Sequence, residues 1–163
     1  PGGYPELHAK TLSENKTMLA SIRQAVQAGL PTAAECGGFL YLGRSLEDAD
    51  GKAWPMADVL PGDGIRVGRL VRFGYAEMTA KADSMLFCAG ETLPIHEFHH
   101  WDSTANGTAF TACKNEKMQW ECGFANTHLY AGFPHLYWAG TPLPRRFVSG
   151  AKFYQRQKRN THD

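Results

Sequence analysis

The chain has no long apolar run: no stretch approaches the ~18 consecutive apolar residues that a membrane-spanning helix needs. It has no excess of charge either. Its 163 residues carry 17 Lys and Arg against 16 Asp and Glu, a net charge of +1, whereas a dedicated nucleic-acid binder is far more basic. Neither a membrane nor a nucleic-acid partner is therefore expected. The four cysteines, Cys36, Cys88, Cys113 and Cys122, form no CxxC pair and none of the spacings of a zinc ribbon. Pro1-Gly2-Gly3-Tyr4-Pro5 opens the chain without an initiator Met or a charged-then-apolar leader. The sequence thus reads as a piece of a longer, cytoplasmic protein with free thiols. There is no internal repeat, no low-complexity tract and no GxxxxGK[ST] phosphate loop.

What is present is a globular composition, 43% hydrophobic and 12% aromatic. At this length roughly two thirds of the unfolded chain's surface can be buried, so one domain with its own core is expected over residues 1–163. The charge is uneven. Residues 1–144 hold 11 basic and 15 acidic side chains, and residues 145–163 hold 6 basic and 1 acidic. The basic end is read as the solvated face of a terminal helix in preference to a phosphate-binding arm.

Thr11 and Glu14 have the spacing of a capping box, and Leu12, Met18, Leu19, Ile22 and Val26 form a helical stripe that Gly29 ends. This predicts one helix from Thr11 to about Ala28. A short strand Thr32-Ala33-Ala34-Glu35, a glycine turn at Cys36-Gly37-Gly38 and a second helix from Phe39 complete an αβα rhythm. Residues 66–78 alternate at period two as a strand or hairpin with one wet face, and shorter strands are expected at 94–99, 108–113 and 120–124. Pro144 to Gln157 reads as a closing helix.

Three constellations carry possible chemistry. In Glu35-Cys36-Gly37-Gly38, a thiol on a strand-to-helix turn would be exposed, strained and close to the amides of the following helix. On its own the motif fits a nucleophile and a buried turn residue equally well. The histidines His8, His96, His99, His100, His128, His135 and His162 are the supply of bases for such a thiol. His135, set in Gly132-Phe133-Pro134-His135-Leu136-Tyr137-Trp138, is by itself an ordinary buried histidine. His96, Glu97 and His100 satisfy the letters HExxH of a zinc peptidase. Pro94 before them and Asn106-Gly107 after them argue against the long helix that motif needs, so a strand with Glu97 and His99 on one face is expected.

Taken together, Gly2-Gly3-Tyr4-Pro5-Glu6-Leu7, Ala34-Glu35-Cys36-Gly37-Gly38-Phe39-Leu40-Tyr41-Leu42, His96-Glu97-Phe98-His99 and Phe133-Pro134-His135-Leu136-Tyr137-Trp138 resemble the C-terminal glutaminase domain of the cobyrinate a,c-diamide synthases. That group lies within the class I-like glutamine amidotransferases of the cobyrinate and cobyric acid synthase type. The resemblance runs from Pro1 to about Phe147. It implies a three-layer, flavodoxin-like α/β fold with a mainly parallel sheet and helices on both faces, lacking here its first strand or strands.

The resemblance also implies roles. Cys36 matches the nucleophile that attacks the side-chain amide of glutamine, and His135 matches the acid and base. Gly2 and Gly3, with Gly37 and Gly38, match the turns whose backbone forms the oxyanion hole and glutamine site. Many class I members carry a glutamate two residues after the histidine, where this chain has Tyr137, so Glu97 is the candidate that either orients His135 or binds the substrate's amino group. His100 stands where relatives usually have Tyr. No metal or cofactor is expected within the domain. ATP and Mg are expected in a synthetase domain, in cis or in trans, that would use the ammonia for a,c-diamidation of cobyrinate, hydrogenobyrinate or a nickel-sirohydrochlorin. The competing readings are an inactive docking fragment and the HExxH zinc hydrolase.

Overall fold

A computed structural model describes residues 1–160. His162 and the last acidic residue of the basic end lie outside the described residues. A single 3₁₀ turn, Pro5–His8, leads into helix α1 (Ala9–Glu14) and then α2 (Lys16–Gln27). The single helix expected from Thr11 is thus two. Buried Ala9 starts the first, and the chain breaks at Asn15, whose side-chain oxygen accepts from the Met18 amide at 3.2 Å. Asparagine is among the best N-cap residues, and it sets the start of α2 where the Thr11–Glu14 spacing does not. Leu19 and Val26 are the buried stripe of α2. Gly29 ends it at φ +86, a left-handed conformation that glycine adopts without strain.

Three short sheets follow. β1 (Thr32–Glu35) pairs in parallel with β11 (Leu129–Gly132), and β11 pairs antiparallel with β10 (Phe124–Ala125). A second sheet takes the order β3 (Ala53–Pro55), β2 (Ser45–Glu47), β4 (Asp63–Arg66) and β7 (Trp101–Ser103), in which only β2 and β4 run parallel. The third is antiparallel throughout: β12 (His135–Leu136), β6 (Thr92–His99), β5 (Arg72–Ala80), β8 (Phe110–Asn115) and β9 (Met118–Cys122). Helices α3 (Gly37–Leu42) and α4 (Leu143–Asn160) complete the domain.

The class is mixed α/β, and parallel pairing is confined to the β1–β11 and β2–β4 ladders. The alternating run 66–78 is not one hairpin. Its beginning lies in β4 and its remainder in β5, which pair with different strands because Gly68, at φ +73, and the residues after it turn the chain between them.

β1 and β11 separate two hydrophobic clusters. Ala34, Leu129 and Ala131 face a cluster built with Leu19, Val26, Phe39, Leu40, Leu46 and Phe133. Tyr130, with Ala33 packed beside it, faces Met78, Phe87, Ile95, Phe110, Leu136 and Leu143. Successive residues of a strand point to opposite faces, so a strand covered on both sides is apolar at every position. All four residues of β11 are buried. The fully buried Tyr130 keeps its hydroxyl satisfied by donating to the Pro134 carbonyl at 3.0 Å.

Candidate active site

The C-terminal ends of β1 and β11 lie side by side, and each strand delivers one reactive group to the same place. After β1, the Cys36 amide donates to the Gly132 carbonyl at 2.8 Å, extending the ladder by one bond. The chain then reverses at Cys36 with φ 51 and ψ −106, an uncommon conformation for a non-glycine residue. Such strain persists only where the surroundings impose it. After β11, Phe133 and Pro134 carry the chain across to His135 in β12. The His135 pKa is raised to about 9, with the Cys36 side chain as the largest cause, while the Cys36 sulfur itself faces the Phe98 carbonyl oxygen at 4.0 Å. The bond to Glu35 is the next cause.

Glu35 is the carboxylate of the site. Its Oε2 lies 3.6 Å from His135 Nδ1, while Oε1 accepts from Trp138 Nε1 at 2.8 Å and from the Leu136 amide at 3.4 Å. Burial alone would raise the pKa of Glu35, but the bonds from His135, Trp138 and Leu136 outweigh it and hold the carboxyl below its ordinary value. Sequence reasoning missed this residue. The signal was a lone charge at the end of the small, half-buried strand Thr32-Ala33-Ala34-Glu35, where an ionised group demands partners.

Glu97 does not take that role. His135 and His96 are register partners on neighbouring antiparallel strands, so their side chains share a face. Glu97, the next residue of β6, points to the other face. It is 3% exposed, and its carboxylate lies 3.2 Å from His99 Nε2, accepts from Trp120 Nε1 at 3.2 Å and faces Arg72 Nε at 3.6 Å. Arg72 in turn sits over the Trp120 ring, 4.2 Å from its centroid. Nor does Glu97 line the cavity beside Cys36, so it is not placed to meet a substrate there. Its neighbour His99 does line it, stacks on Phe133 with centroids 3.7 Å apart, and donates through Nδ1 to the Trp101 carbonyl at 2.7 Å. Glu97 and His99 on one face is the arrangement the sequence suggested, and it braces Phe133, two residues before His135. A zinc peptidase's histidines would have to lie one helical turn apart, whereas His96 and Glu97 lie on the strand β6 and His100 directly follows its last residue.

The four glycines gather around Cys36 and His135. A Cβ on Gly2 would lie 2.6 Å from His135 Cε1, one on Gly37 would meet the Gly3 carbonyl oxygen at 2.7 Å, and one on Gly38 would meet the Pro1 carbonyl oxygen at 3.1 Å. Gly2→Ala is therefore expected to push the imidazole aside. Misplacing a catalytic group by about 1 Å costs up to about 10²-fold in rate. The check is the rate of Cys36 alkylation by iodoacetamide measured beside a urea melt, with the rate changed and the melt nearly unchanged.

A thiol on a strand-to-helix reversal, with an imidazole that the half-buried Glu35 carboxylate steadies, has the parts of a Cys–His acyl-transfer site. Comparison with known proteins gives the family. The chain belongs to the CobB/CobQ-like glutamine amidotransferase domains, whose family model matches residues 1–142. It is 39% identical over 138 residues to the cobyrinate a,c-diamide synthase of Caldanaerobacter subterraneus subsp. tengcongensis, covering 83% of this chain and 30% of that protein. It is 38% identical over 146 residues to the synthase of the same name from Salmonella typhimurium (86% and 32%), and 32% identical over 162 residues to that of Priestia megaterium (98% and 35%). The chain thus spans about a third of the length of the curated relatives it matches. Among the described residues, no helix is long and apolar enough to cross a membrane.

Proposed function

We propose that this domain hydrolyses glutamine to glutamate and ammonia through Cys36 and His135. The observation that carries the reading is the Cys36–His135–Glu35 chain at the ends of β1 and β11. With its pKa near 9, His135 is an imidazolium at neutral pH. It is ready to stabilise the Cys36 thiolate and to donate a proton.

The Cys36 sulfur attacks Cδ of the glutamine side chain, and the C–O π electrons move to oxygen. In this reading the Gly37 amide and the Gly2-Gly3 backbone are the donors for that oxyanion. His135 gives its proton to the amide nitrogen, the C–N bond breaks, and ammonia leaves with a glutamyl thioester on Cys36. Acylation removes the largest influence that kept His135 protonated, leaving the weaker hold of Glu35. The imidazole then takes a proton from water, whose oxygen attacks the thioester, releases glutamate and restores the thiolate. A positioned acid and base of this kind contributes about 10²- to 10⁴-fold.

The names of the relatives support a destination for the ammonia, the a,c-diamidation of cobyrinate by a synthetase region outside these residues. Activating a carboxylate there would use ATP and Mg. The described residues contain no group of three or more His, Cys, Asp or Glu able to hold a metal ion, and no step through ATP is assigned to them.

The test is incubation of the full-length protein with an electrophilic glutamine analogue, 6-diazo-5-oxo-norleucine. Stoichiometric adduct on the Cys36 peptide is the expected result. An unlabelled Cys36 with no ammonia release would remove the reading in favour of an inactive docking domain, and ammonia release that persists in the Cys36→Ser variant would place the chemistry at another site.

A further inference from the structure

A small cavity of about 160 Å³ opens beside Cys36, between the first turn of the chain and the end of β6. It lies well below the ~300 Å³ at which sites for drug-sized ligands begin, a size for one amino acid rather than a nucleotide. Leu7, Leu40, Phe98 and Trp101 make much of its wall apolar, and Cys36 stands at one side. The only carboxylate lining it is Glu6. The residue is 8% exposed, and no ion pair to it exists among the described residues. Burial raises its pKa and prevails over a hydrogen bond from its own backbone amide and the nearby His100 and His8, all of which favour its charge.

A carboxylate taken out of water without a cation is costly, and a cation brought to it in such a place is bound far more strongly than at a surface. The substrate proposed above carries one fixed cation, its α-ammonium, three carbons beyond the amide carbon that Cys36 attacks.

We infer that Glu6 is the binding residue for the α-ammonium of glutamine, so that the cavity beside Cys36 accepts an α-amino acid carrying a side-chain amide and discriminates against the same amide without the amino group. This rests on the glutaminase reading. Glu6 thereby takes the substrate-binding role that the sequence offered to Glu97. The apolar wall receives the methylenes, while Cys36 and the glycine backbones receive the amide.

The experiment compares two substrates in the full-length protein: glutamine, and 4-carbamoylbutanoate, which is glutamine without its α-amino group. The unmodified protein is expected to prefer glutamine. Glu6→Gln is expected to raise KM for glutamine about 10- to 100-fold, the loss typical of a hydrogen bond to a charged group. The same variant should leave kcat within a few-fold, leave kcat/KM for 4-carbamoylbutanoate unchanged, and leave the rate of Cys36 alkylation by iodoacetamide unchanged. Glu6→Asp, which keeps the charge, should recover part of the preference. The inference is overturned if Glu6→Gln leaves KM for glutamine within twofold, or if both substrates lose equally, since a carboxylate that merely braces the 3₁₀ turn would affect them alike. If the unmodified protein releases no ammonia from glutamine, or Cys36→Ala releases as much, the glutaminase reading itself fails, and the inference with it.

Discussion

Cys36→Ala is expected to reduce ammonia release from glutamine to the uncatalysed background, the largest effect of any single substitution in this domain. In the proposed reaction the sulfur forms the covalent bond, and no other cysteine among the described residues lines the same cavity to replace it. Among the other cysteines, Cys122 is buried, with its thiol pushed up to about 12 by desolvation first and by the charge of Glu97 second. Cys88 and Cys113 are exposed and outside the cavity. Removing one member of a unit that acts together costs nearly as much as removing all of it. Cys36→Ala and the double variant Cys36→Ala/His135→Ala should therefore be equally inactive. Additive losses would show that the two residues do not act on the same step. The alanine is also expected to leave stability almost intact, because the strained backbone at φ 51 is set by the β1–β11 ladder and α3 rather than by the sulfur. Residual activity in the variant above a few thousandths of the original would place the chemistry elsewhere.

Glu35→Gln is the second large effect, with an expected loss of about 10²- to 10³-fold in kcat. The amide keeps the shape and can still accept from Trp138, but it presents no charge to the imidazolium and leaves the tautomer of His135 uncontrolled. The change carries its own signature in pH. His135 titrates at about 9 because of Cys36 first and Glu35 second, so losing the carboxylate lowers that value toward the ordinary 6.5. In the proposed reaction the protonated ring is the acid for ammonia departure. The alkaline limb of kcat/KM should accordingly move to lower pH in Glu35→Gln. A purely structural role would lower the whole profile without moving it.

Folding stability responds to the same pair with a definite sign. His135 has its folded pKa above the unfolded value, so its contribution is complete below pH 6.5 and lost as pH rises through about 9. Glu35 has its folded pKa below the unfolded value. Its contribution is therefore present above about pH 4.5 and lost as pH falls. A denaturation midpoint that rises steadily from pH 7 to 10 would contradict this coupling.

The thiol, the imidazole and the glycines were singled out in the sequence by the resemblance of four separated blocks, since the local motif at Cys36 fits a turn residue equally well and His135 alone is an ordinary buried histidine. A reversal needs small residues next to the nucleophile, and Cys36-Gly37-Gly38 and Gly2-Gly3 supply them within a few positions. The carboxylate was not legible, because Glu35 meets His135 and Trp138 only after β1 and β11 pair across most of the chain. Glu97 was the tempting substitute, since period-two reasoning places it correctly beside His99. Which face of β6 looks at His135, however, depends on the register of β12, which no local pattern contains. The same limit split the 66–78 run between two sheets. A strong alternation says that a segment is extended, not where its hydrogen bonds go.

The pairing of β1 with β11 also has a kinetic meaning. Thr32 is matched with Leu129, a separation of 129 − 32 = 97 residues. Contacts of such long range close late, since the loop entropy must be met before the strand contacts offset it. During synthesis from the N-terminus, Cys36 emerges long before the strand that completes its setting. Until β11 is made and docked, the thiol has neither its imidazole nor the Gly132 carbonyl that helps hold its reversal. Under the proposed function the nascent domain would be silent toward glutamine until β11 docks between the two hydrophobic clusters.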